Sequence, residues 1–293
     1  MTDITLLDGG MGQELVHRAG DRPTPLWSTQ IMIDHPGMVT AVHADYRDAG
    51  ATVHTTNTYA IHYDRLDGTA LVDAFTTLHL AAVTEARAAI TDQRIAGSIG
   101  PLFASYRPDL HPDHATAVAK YAEIAQLLAP HVDLIICETI ASVAHARAVL
   151  EGAQAAGKPV WLAMTVDDTD GTRLRSGEPL ADVLPVIAGA AALLVNCAAP
   201  EAMPAALNIL ARAGLPFGAY ANGFTQITND FLKDKPTVDS LSARRDLTPD
   251  AYAAMAMGWI DQGATIVGGC CEVGPAHIAR LAQAIRDAGH TIA

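Results

Sequence analysis

The sequence has no charge-free apolar run of about 18 residues, so no membrane-spanning helix is expected. Its first residues, Met1-Thr2-Asp3-Ile4, do not lead from a basic stretch into an apolar one, so no secretory leader is read there. Basic residues are scarce. Nineteen Lys and Arg stand against 32 Asp and Glu, a formal charge of −13, and Arg244-Arg245 is the only dense basic spot. That balance disfavours a nucleic-acid partner, whose phosphates need cations. Only four of 293 residues are cysteine. Without an export signal they read as reduced thiols for metal or catalysis, not as a disulfide framework. A cytoplasmic location and small-molecule partners are expected. The twelve histidines form no His-Glu-x-x-His and no tight array, and are read as surface or satisfied core groups. Asp8-Gly9-Gly10-Met11-Gly12 has the wrong spacing for a dinucleotide fingerprint. No linker or low-complexity segment divides the chain, so residues 1–293 are expected to form one domain.

What is there is an alternation of short apolar runs with longer amphipathic stretches. The runs are Ile4–Asp8, Thr52–Asn57, Arg94–Gly100, Asp133–Glu138, Val160–Val166, Ala192–Cys197, Phe217–Ala221 and Thr265–Gly269. Continuous apolar runs bounded by turn residues suit parallel strands covered on both faces. Helical patterns follow, with stops such as Gly157-Lys158-Pro159 and Gly214-Leu215-Pro216, and starts such as Thr248-Pro249 and Gly274-Pro275. Eight strands, each followed by a helical stretch, predict a single-domain (β/α)₈ barrel, with a doubly wound sheet as the rival. Asp8, Asn57, Glu138, Cys197 and Cys270-Cys271 all fall at strand C-terminal ends. In a barrel these ends share one face, where active sites sit. The stretch Asn222–Leu247 is long for a strand–helix loop and is expected to be functional or mobile, with a lid over a donor site as one use.

Cys270 and Cys271 follow Gly268-Gly269, and Cys197 follows Asn196. Adjacent cysteines offer two thiolates to one metal if a distant third meets them. Three protein ligands and an open position describe a catalytic zinc. A redox pair is the rival use. The glycines are expected to let the chain turn sharply. Cys137 precedes Glu138 on a strand, so it should face the helices if Glu138 faces the pocket. Asp8 and Glu138 at one barrel mouth suit a substrate ammonium. Capping and acid/base work are the other uses of such carboxylates. Trp27 and Tyr59, just after polar strand ends, suit a wall for a cationic substrate, because aromatic faces attract onium groups.

These residues resemble the homocysteine S-methyltransferases, and more closely the short bacterial and plant type than the longer betaine-using branch. The matching pieces include Leu7-Asp8-Gly9-Gly10-Met11-Gly12, Pro25-Leu26-Trp27-Ser28, Thr55-Thr56-Asn57-Thr58-Tyr59 and Cys137-Glu138-Thr139. Gly97-Ser98-Ile99-Gly100-Pro101, Asp170-Gly171-Thr172-Arg173-Leu174, Asn196-Cys197 and Gly268-Gly269-Cys270-Cys271 complete the set, in family order over nearly the whole chain. The resemblance implies a zinc-bearing barrel that moves a methyl group to homocysteine, giving methionine. It implies Cys197, Cys270 and Cys271 as zinc ligands, and Asp8 and Glu138 near the homocysteine amino group. The donor is expected to be a sulfonium, S-methylmethionine or S-adenosylmethionine, or another onium. Asn57 is expected beside Trp27 and Tyr59 among the substrate contacts. Two stretches depart from the family pattern. Glu272-Val273-Gly274-Pro275 stands where arginine usually comes first, and Ala219-Tyr220-Ala221-Asn222-Gly223-Phe224 replaces the usual Pro-Asn-Ser-Gly-Glu. The alternatives left open are demethylation of a small betaine-like compound and a thiol/redox protein.

Overall fold

Strands buried on both faces have no polar face, and the apolar runs of this chain become such strands. The computed structural model describes residues 2–22, 24–228, 230–233 and 241–293. Its strands are β1 (Asp3–Leu6), β2 (Val53–Thr55), β3 (Arg94–Ile99), β4 (Leu134–Ile140), β5 (Val160–Met164), β6 (Ala192–Asn196), β7 (Phe217–Tyr220), β8 (Ile266–Val267) and β9 (Thr291–Ile292). The helices are α1 (Met11–Ala19), α2 (Ser28–Asp34), α3 (Met38–Asp48), α4 (Tyr63–Leu66), α5 (Phe75–Ala89), α6 (His114–Leu128), α7 (Val143–Ala153), α8 (Met203–Leu210), α9 (Pro249–Asp261) and α10 (Pro275–Asp287).

The strands run parallel in the order β2-β3-β4-β5-β6-β7-β8-β1-β9. A further parallel bridge, Leu7 to Val53, joins the end of β1 to β2. Thr52 N–H donates to Leu6 O at 2.7 Å and Asp8 N–H to Val53 O at 3.0 Å, so the eight-strand barrel closes. The small ninth strand pairs with the start of β1 through Asp3–Thr291 and Ile4–Ile292, and has no counterpart in the expected eight.

Two apolar cores follow from the strand alternation. Leu7, Val53, Ala96, Ile136, Leu194 and Ile266 fill the barrel interior. Ile4, Ile95, Ile135, Cys137, Leu193 and Val267 face the helices.

The helix signals act where the sequence places them. The Thr248 side chain caps α9 by accepting from Ala251 N–H, and Ser142 caps α7 through His145 N–H. Gly157 and Gly214 adopt φ of 62° and 69°, the left-handed conformation that ends their helices. The crossover after β5 is different. Leu180–Val186 is a 3₁₀ helix with Pro185 inside it, where the missing N–H interrupts α-helical bonding. No helix among the described residues is long and apolar enough to cross a membrane.

Candidate functional site

The C-terminal strand ends open on a cavity of about 460 Å³, within the size range of small-molecule sites. Its wall includes Asp8, Trp27, Asn57, Tyr59, Glu138 and Tyr220, and all three strand-end cysteines also line it.

Cys197 follows β6 with φ of 51°, and Thr139, on β4 two strands away, has φ of 59°. Such backbone is rare outside glycine and persists where its surroundings fix it. Asn196 does so here: its Oδ1 accepts Thr139 N–H at 3.0 Å and its Nδ2 donates to Thr139 Oγ1 at 3.3 Å.

Cys270 and Cys271 are held by backbone. Gly269 N–H donates to Asp8 O at 3.0 Å, Cys270 N–H to Ala221 O at 3.0 Å, and Gly223 N–H to Cys271 O at 2.7 Å. A Cβ on Gly10 would sit 2.6 Å from Cys270 O, and one on Gly268 would sit 2.4 Å from the Leu7 Cβ. The two glycine pairs let β1 and β8 pass closely. Neither Gly268 nor Gly269 has positive φ, so the expected sharp turn is replaced by close approach.

Cys197 Sγ lies 2.7 Å from Cys270 Sγ, and all three sulfurs lie within 4.8 Å of one another. Hydrogen bonds from Cys270 and Cys271 hold the Cys197 thiol well below the usual thiol range. Three sulfurs around one point, beside an open cavity, fit a borderline-soft ion that prefers tetrahedral thiolate coordination. Cys137 stands apart, fully buried on the helix side, where burial pushes its thiol up.

The carboxylates sit beside the thiols. Asp8 is buried and accepts Thr55 N–H at 2.8 Å and Thr55 Oγ1–H at 3.1 Å. It thus holds the end of β2 rather than capping its own loop. Glu138 accepts from Ser98 Oγ–H, and from the Tyr220 phenol at 2.8 Å. Neither carboxylate has an Arg, Lys or His ion-pair partner among the described residues. Burial therefore pushes Asp8 well above its usual range and Glu138 up to about 7. The two buried acids are thus left without a pairing cation among the described residues.

His43 and His54 pack behind Asp8, with possible ligand atoms of all three within 4.8 Å of one another. Asp8 is already engaged by Thr55. Burial drives His43 down to about 3 and His54 to about 4, so both rings are neutral. Neither nitrogen of His43 has a hydrogen-bond partner among the described residues. The expectation of satisfied core histidines fails at that position.

The aromatic wall is anchored. Trp27 and Tyr59 meet edge to face, 6.1 Å between ring centroids. The Trp27 indole N–H donates to Gln13 Oε1 at 3.1 Å, and Gln13 Nε2 donates to Glu272 Oε1 at 2.6 Å. Asn57 lines the cavity but spends Nδ2 on Ser28 O at 3.2 Å, fixing the Trp27 loop. Phe224, Phe231, Lys233 and Leu241, from the stretch Asn222–Leu247, also face the cavity. Within that stretch, residues 229 and 234–240 lie outside the described residues. Sequence reasoning missed Thr55, Ser98, Tyr220 and Gln13. Thr55 and Ser98 lay inside pieces that resemble the family and Tyr220 in a stretch that departs from it, and those were their only signals.

The model of the family described as homocysteine S-methyltransferase matches residues 5–285. The chain is 31% identical to the homocysteine S-methyltransferase of Escherichia coli over 95% of this chain and 94% of that one. It is 25% identical to a homocysteine S-methyltransferase of Bacillus subtilis, over 97% and 95%. The metallated homocysteine methyltransferase MmuM of Escherichia coli superposes with a TM-score of 0.79 at 29% identity, covering 96% of each chain.

Proposed function

Because the chain belongs to the homocysteine S-methyltransferase family, we propose that it moves a methyl group from a sulfonium or other onium donor to homocysteine with zinc held by Cys197, Cys270 and Cys271. One observation carries the reading. Three thiols from the ends of β6 and β8 converge in a cavity that also holds two buried carboxylates, neither ion-paired among the described residues.

Asp8 and Glu138 bind the homocysteine ammonium, which brings the positive charge their burial lacks. Thr55, Ser98 and Tyr220 keep the two carboxylates aimed at it. Zinc, when bound, would supply the charge that keeps the homocysteine sulfur ionised near neutral pH, where a free thiol is mostly protonated. Trp27 and Tyr59 hold the onium against their ring faces.

A lone pair on the homocysteine sulfur forms the new bond to the methyl carbon. The methyl–onium bond breaks, and its electron pair stays on the donor heteroatom. Homocysteine becomes methionine, the donor becomes neutral at that atom, and the former thiol proton goes to solvent. The aromatic wall excludes water, which favours a step that annihilates charge. The anchored loop bearing Trp27 supplies alignment.

The experiment is methionine formation by reduced, zinc-loaded protein. It is run with homocysteine and, separately, S-methylmethionine, S-adenosylmethionine or glycine betaine. Turnover with one donor and its loss in Cys271→Ser is the expected result. Full activity and full zinc in Cys271→Ser would overturn the ligand assignment. Absence of methionine with every donor would overturn the donor class.

A further inference from the structure

Arg65 lies on α4, the short helix between β2 and α5, and lines the same cavity. Its Nε is buried and has no hydrogen-bond partner among the described residues. Among the described residues, three other cations around the site are matched. Arg175 pairs with Asp168 at 2.7 Å, Lys233 with Asp230 at 2.5 Å, and Arg244 with Glu201 at 2.7 Å. Among the described residues Arg65 has no such carboxylate. Asp64, next in the chain, lines the cavity too but makes no ion pair with it.

Tyr59 links this cation to the reacting end, because Tyr59, Arg65 and Cys197 all line the one cavity. A bare onium on Tyr59 would be repelled by Arg65. A donor that also carries an anion would satisfy the guanidinium and cancel that repulsion.

We propose that Arg65 binds the carboxylate of the methyl donor, so that the donor is a zwitterion with its onium on Trp27 and Tyr59 and its carboxylate on α4. The assignment rests on the onium-donor reading above. It makes Arg65 a specificity-determining residue of a subsite distinct from the Asp8–Glu138 pair. Homocysteine and donor then use opposite charges to recognise their heads, so each is excluded from the other's place.

The test compares S-methylmethionine with its carboxamide, which keeps the sulfonium and loses the anion. Wild type, Arg65→Met and Arg65→Lys are used as zinc-loaded enzyme at saturating homocysteine. Arg65→Met should lose about 30- to 100-fold in kcat/KM with S-methylmethionine, mainly through KM, the scale of truncating one partner of a hydrogen-bonded charge pair. Its change with the carboxamide should stay within about 3-fold, and Arg65→Lys should recover part of the loss. Equal losses with both donors would overturn the assignment. So would a rise confined to the homocysteine KM, which would place that substrate's carboxylate on Arg65.

Calorimetric titration of the same two compounds reads binding without turnover. If wild type fails to make methionine yet binds S-methylmethionine in an Arg65-dependent way, the methyl-transfer reading fails and the subsite stands. Binding indifferent to Arg65→Met overturns the subsite whatever the activity.

Discussion

The phenol of Tyr220, at the end of β7, donates a 2.8 Å hydrogen bond to Glu138 on β4, spanning the barrel mouth. Tyr220 lies in the stretch where this chain departs from the family pattern. The departure thus reaches the acid proposed for the homocysteine ammonium. Hydrogen bonds to charged groups are worth about 1.5–3 kcal/mol. Tyr220→Phe should raise the homocysteine KM by roughly 10-fold and leave the donor KM unchanged. Steady-state kinetics with each substrate varied in turn checks this. A change confined to the donor would assign Tyr220 to the other subsite.

Gln13 links Trp27 to Glu272, the residue after Cys271. Gln13→Leu leaves the indole N–H unpaired and frees the ring to rotate. The donor KM should rise about 3- to 10-fold with homocysteine KM unchanged, in line with the loss of a neutral hydrogen bond. An equal rise for both substrates would mean that the bond supports packing instead.

Protein purified under reducing conditions should carry about one zinc per chain. Elemental analysis should find it lost from Cys197→Ser and Cys271→Ser, and retained in Cys137→Ser, because Cys137 faces the helices. Stripping by a chelator should abolish activity, and added zinc should restore it. Zinc lost equally from Cys137→Ser would sink the ligand set.

Stability should fall on mild acidification. Burial holds His43 and His62 down to about 3, and His54 and His79 to about 4, against an ordinary value of 6.5. Below pH 6.5 the unfolded chain takes up these protons while the folded chain does not. Each histidine then removes up to about 1.4 kcal/mol per pH unit. His111 and His145 are held down by burial in the same way, while Glu138, raised to about 7 from 4.5, acts the other way between those values, as do Asp8 and Asp64, so three acids oppose six histidines. Urea melts should show a lower midpoint at pH 5.0 than at pH 7.5. Equal midpoints would mean that the rings are not held neutral.

The strands were legible because burial on both faces makes each an apolar run, as Leu134–Ile140 and Ala192–Asn196 show. The thiols were legible because a cysteine at a strand end is a local feature. The helices α1 and α2 were not anticipated, since Gly9-Gly10 and Pro25 read as loop punctuation. The pair β1–β9 joins residues almost a full chain length apart, and no local pattern signals it. The bonds of Ser98 and Tyr220 to Glu138 were not legible for the same reason: they span separations of 40 and 82 residues.

The sulfurs of Cys197 and Cys270 are 73 residues apart in the chain, and the Cys270 strand end is latched onto Asp8 by Gly269. During synthesis β1 emerges from the ribosome first and β8 nearly last. A nascent chain exposing Cys197 alone offers one thiolate, too few to capture an ion. On the proposed ligand set, metal acquisition would then fall after translation of the barrel and report that its ends have met.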